Sequence, residues 1–67
     1  MQYRTTAQFE EIVESCLNGN WSQAAAECVE YGYYANDLIN KQNESDGMGF
    51  QDLTDIALVA EMAAKLR

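Results

Sequence analysis

The stretch LNGNWSQAAAEC, residues 17–28, decides the fold, because it closes one amphipathic pattern and opens another around Asn18-Gly19-Asn20. Asn18-Gly19 stops a first helix, since glycine accepts the left-handed conformation that a C-terminal cap needs. Asn20 then starts a second as its N-cap, with Gln23 three residues on in capping-box spacing. Two helices joined by so short a turn run antiparallel as a helical hairpin.

Upstream, Thr5 and Gln8 carry the same capping-box spacing, and Phe9, Ile12, Val13, Cys16 and Leu17 recur as one apolar helical stripe. Downstream, Trp21, Ala24, Ala25 and Cys28 repeat that spacing with Val29 on the flank. Three consecutive alanines let helix backbones approach closely. Gly32 interrupts this pattern. The segment after it, YYANDLIN (33–40), fits another short helix with Tyr34, Leu38 and Ile39 turned inward. KQNESDGMG (41–49) reads as a loop: polar, with two glycines and no periodicity.

A last helix is predicted from about Phe50 to Leu66. Asp52 and Asp55 near its start, and Lys65 and Arg67 near its end, match the helix dipole, and Glu61–Lys65 is a favourable i, i+4 pair. Its apolar surface divides into two stripes. Phe50, Leu53, Ile56, Ala57, Ala60 and Ala64 form one; Leu58, Val59, Met62 and Leu66 form the other. A helix apolar on so much of its circumference is central or meets another molecule. The expected fold is all-α: one domain over residues 1–67, a small bundle of three to four helices with an N-terminal hairpin and a long C-terminal helix.

The chain is 67 residues long, with eleven Asp and Glu against four Lys and Arg, no His, and a net charge of −7. Folding a chain this size buries roughly 6,600 Å², of which ~60% is apolar, giving on the order of 100 kcal/mol. Ordering the chain costs about the same. Such a monomer is modestly stable, and self-association is an easy way to gain more. The acidic balance repels phosphate backbones and anionic membranes, so direct nucleic-acid or membrane binding is disfavoured. It favours a basic partner, or simply solubility. No apolar run is long enough to span a bilayer, and MQYRTTAQFEE (1–11) lacks a secretion-signal core, so a cytoplasmic location is expected.

Several chemistries lack their groups. Without His the usual proton shuttle near neutral pH is missing. The pairs Glu10/Glu14 and Glu27/Glu30 sit off the apolar stripes, in water, where a raised general-acid pKa is not built. An enzyme is not expected, nor a cofactor. Cys16 and Cys28 lack further ligands for zinc, and an offset of about four residues along the hairpin puts them too far apart for a disulfide. Both read as reduced core residues. A calcium loop around Asp46-Gly47 fails, because Gln42 and Leu53 fall where carboxylates are required.

Three surfaces remain as candidates for a partner. Glu10, Glu11, Glu14, Glu27, Glu30 and Asp37 form an acidic face, with an ordinary solvated surface as the alternative. Tyr31, Tyr33 and Tyr34 around Gly32 form an aromatic one, with core packing of two of them as the alternative. Leu58, Val59, Met62 and Leu66 form a self-association stripe, allowing a homodimer.

Gly19, Asn20, Trp21 and Ala24 resemble the turn and second-helix start of a tetratricopeptide repeat, with residues 6–31 as one unit. No second copy follows, and stacked repeats need three or more. That resemblance implies hairpin geometry alone. FEEIVESCLNGN (9–20), in so short and acidic a chain, is similar to small helical phage-encoded proteins. This second resemblance implies a non-catalytic inhibitor or modulator of a host protein, of the anti-CRISPR or anti-restriction kind. Its expected action is occlusion of a site on that protein, or acidic nucleic-acid mimicry in a basic cleft by the acidic face, in the host cytoplasm. The rival expectation is a homo-oligomeric structural protein.

Overall fold

The structure is a computed structural model that describes residues 5–44 and 49–67. These form four helices: α1 (Thr6–Leu17), α2 (Trp21–Tyr31), α3 (Ala35–Glu44) and α4 (Leu53–Leu66). The all-α bundle expected from the sequence is the fold observed. Residues 45–48 of the loop read at 41–49, including Asp46-Gly47, lie outside the described residues.

Helix α1 starts at the Thr5–Gln8 capping box. The Thr5 hydroxyl accepts from the Gln8 amide at 3.2 Å, and the Thr5 amide donates to the Gln8 side chain at 3.0 Å. Gly19 (φ 82°) and Gly32 (φ 77°) end α1 and α2 in the left-handed region. The amide after each glycine donates back across the last turn, Asn20 to the Ser15 carbonyl and Tyr33 to the Cys28 carbonyl, both at 2.8 Å. This double use of one closing motif makes both helix ends local decisions of the chain.

The start of α2 differs from expectation. Asn20 makes no side-chain cap, and its backbone (φ −91°, ψ 66°) is not extended. Its amide already closes α1, which holds the residue away from the extended geometry an N-cap side chain uses. Gln23 is free to turn instead toward Glu27.

Helices α1 and α2 are antiparallel. Ser15 bonds Glu27 and Glu11 bonds Tyr31, four residues back on one helix for four forward on the other. That register puts Cys16 across from position 26, two residues from Cys28 rather than four. Both are free thiols buried in the core. Helix α4 packs chiefly on α2, and α3 closes the bundle against α4 and, more lightly, α1.

The core joins Phe9, Ile12, Val13 and Cys16 of α1 to Ala24, Ala25 and Cys28 of α2 and to Ile56, Val59 and Ala63 of α4. Leu17, read as part of the α1 stripe, is half exposed. Phe50 precedes α4 rather than opening it, and its ring meets Phe9 edge-on at 5.7 Å. Asp52 is the α4 N-cap, its carboxylate accepting from the Thr54 amide. The buried face of α4 runs through Ile56, Val59 and Ala63, between the two stripes read from the sequence, and leaves Leu53 exposed.

Helix α3 continues through Lys41–Glu44, read above as loop. Only Leu38 of α3 is fully buried, so the helix needs no apolar periodicity beyond it. Its end is tied by the Gln42 side chain, which accepts from the Phe50 amide at 2.6 Å and donates to the Phe50 carbonyl at 3.0 Å.

Candidate functional site

The hairpin concentrates charge of one sign. Residues 5–34 contain five glutamates (10, 11, 14, 27 and 30) and neither Lys nor Arg. Folding α1 against α2 brings Glu11, Glu14 and Glu27 to one polar cleft of about 210 Å³, shared with Ser15, Asn18 and Asn20. Glu10 and Glu30 lie exposed on the same two helices.

The carboxylates differ in setting. Glu27 is 8% exposed, which corrects its reading as an open acidic residue. Its two oxygens accept from the Ser15 hydroxyl at 2.8 Å and, more weakly, from the Gln23 amide at 3.4 Å. A buried carboxylate is tolerated when hydrogen bonds replace its water, and Ser15 supplies the strong one. Glu11 is exposed and accepts from the Tyr31 hydroxyl at 2.8 Å. That hydrogen bond, followed by desolvation and by the charges of Glu11, Glu30 and Glu27, pushes the Tyr31 hydroxyl up to about 12. The phenol therefore senses a negative field from three carboxylates on two helices. Glu10, Glu14 and Glu30 stay open to solvent. Asp37 does not join them: it belongs to α3, where it is half-buried and accepts from the Tyr34 amide at 2.9 Å as part of the helix start.

The tyrosine segment separates into three roles. Tyr33 is fully buried and corrects its assignment to a partner surface. Its ring lies 6.3 Å from Phe9, and its hydroxyl donates to the Thr5 carbonyl at 3.0 Å. Tyr31 is half-buried and reaches the acidic cleft through its bond to Glu11. Tyr34, expected inward, is 59% exposed, with the Arg67 guanidinium 4.0 Å from its ring centroid. The same guanidinium donates to the Tyr33 carbonyl. Ile39, also expected inward, is exposed on α3.

On α4, Val59 is fully buried and leaves the self-association stripe. Leu58 and Leu66 are exposed, and Met62 is half-buried. Beside them a mostly apolar groove of about 460 Å³ runs between Ser22, Ala25 and Ala26 of α2 and Met62, Lys65 and Leu66 of α4.

Two side chains have roles with no signal in the sequence pattern: Ser15, which makes Glu27 buriable, and Arg67, which fastens the α2–α3 joint. The spacing of Ser15 and Glu27 carries no local signal, because their pairing exists only once the hairpin register is set. Burial pushes the Cys28 thiol up to about 12 and the Cys16 thiol up to about 11, so neither is an activated nucleophile. Among the described residues no cluster of three or more His, Cys, Asp or Glu is placed to hold a metal ion. Nor is any helix there long and apolar enough to cross a membrane. Comparison of the chain with protein-family models, curated proteins and solved structures finds no match.

Proposed function

We propose that this chain is a non-catalytic protein-binding module that occludes a basic cleft of a target protein with its α1–α2 hairpin. The observation that carries this reading is the segregation of charge: five glutamates and no cation over residues 5–34, three of the carboxylates lining one cleft. The ion pair seen on α4, Glu61–Lys65, lies outside this segment and neutralises none of it. Negative potential on a rigid helical scaffold steers toward a positive site, and a site that holds nucleic acid is positive for the same reason. The module acts as a modulator of a host protein in the host cytoplasm, consistent with the phage-type resemblance of residues 9–20.

Exposed Glu10, Glu14 and Glu30, with Glu11 and Tyr31 at the rim, are the contact residues of this reading; Glu27 supports them from beneath. The test uses the tagged chain as bait in a bacterial lysate, followed by a nucleic-acid binding assay on the captured protein. The expected result is a partner that loses its nucleic acid as the bait is added and releases the bait at high salt. A partner that keeps full nucleic-acid binding while holding the bait contradicts occlusion.

A further inference from the structure

We draw no further inference here: the strongest candidate, the apolar groove between α2 and α4 walled by Ala25, Ala26, Met62 and Leu66, carries none because nothing in the structure shows what covers that face.

Discussion

In the α1–α2 hairpin the helix ends are closed by bonds that span three to five residues. Thr5 pairs with Gln8, the Asn20 amide with the Ser15 carbonyl, and the Tyr33 amide with the Cys28 carbonyl. In the α3–α4 half the helix starts are also closed locally, by Asp37 on the Tyr34 amide and Asp52 on the Thr54 amide, and the ties that hold the helices in place reach further. Gln42 holds Phe50, the Tyr33 hydroxyl holds the Thr5 carbonyl, and Arg67 holds the Tyr33 carbonyl while covering Tyr34. The first half closes its own helix ends and carries one sign of charge; the second adds longer ties to its local caps and carries every cation among the described residues. A small chain thus divides its work between a self-determined scaffold and a set of long-range ties that hold the remaining helices onto it.

Phe9 tests that division most severely, since its ring touches both Tyr33 and Phe50 and so joins the halves. Phe9→Ala is expected to cost about 3–5 kcal/mol. A chain of this size has only about 3–10 kcal/mol in total. Urea titration followed by circular dichroism should show much of the variant unfolded without denaturant. A loss near 1 kcal/mol would mean that the halves are joined elsewhere.

Gln42→Ala and Arg67→Ala each remove a long-range tie, and each is expected to cost about 1–2 kcal/mol. Hydrogen exchange distinguishes the halves. Amides of α3 should lose protection first, while those of α1 and α2 keep theirs. Uniform loss across all four helices would show that the hairpin depends on the ties as much as α3 does. Ser15→Ala acts inside the hairpin and leaves one oxygen of buried Glu27 short of its strong donor, for about 1 kcal/mol. Its signature is a lower urea midpoint without selective opening of α3.

The smallest effect is read by pH. Folding raises the Tyr31 hydroxyl from 10 to about 12, so its contribution to stability is complete below pH 10 and fades as pH rises toward 12. Cys16 and Cys28 begin the same alkaline loss near pH 9. The difference in phenolate absorbance between the wild type and Tyr31→Phe should place the Tyr31 transition near 12. A transition at 10 would show that the Glu11 bond does not persist in solution.

These contrasts also explain what could be read in the chain before folding. The hairpin was legible because its signals are local: a capping box at Thr5 and Gln8, a stripe from Phe9 to Cys16, and glycines at the helix ends. Tyr33 was not, because what makes it a core residue is the left-handed turn at Gly32 aiming it at Phe9, not its own periodicity. The α4 face was misplaced for a similar reason. Leucines at 53, 58 and 66 outweigh Ala63 in any hydropathy pattern, yet close packing against small α2 residues selects Ala63. Of the acidic face, the presence of charge was legible, and the separation of Glu27 and Asp37 from the open carboxylates was not. That separation needs Ser15 across the hairpin and the start of α3.

The open hairpin carboxylates are the centre of this account, and the association rate with the captured partner tests them directly. Replacing Glu10, Glu14 and Glu30 together by Gln should slow association at least tenfold at low salt and flatten its salt dependence, with dissociation little changed (roughly ten- to a thousandfold is the scale of electrostatic steering). An association rate equal to that of the wild type at every salt concentration would contradict it.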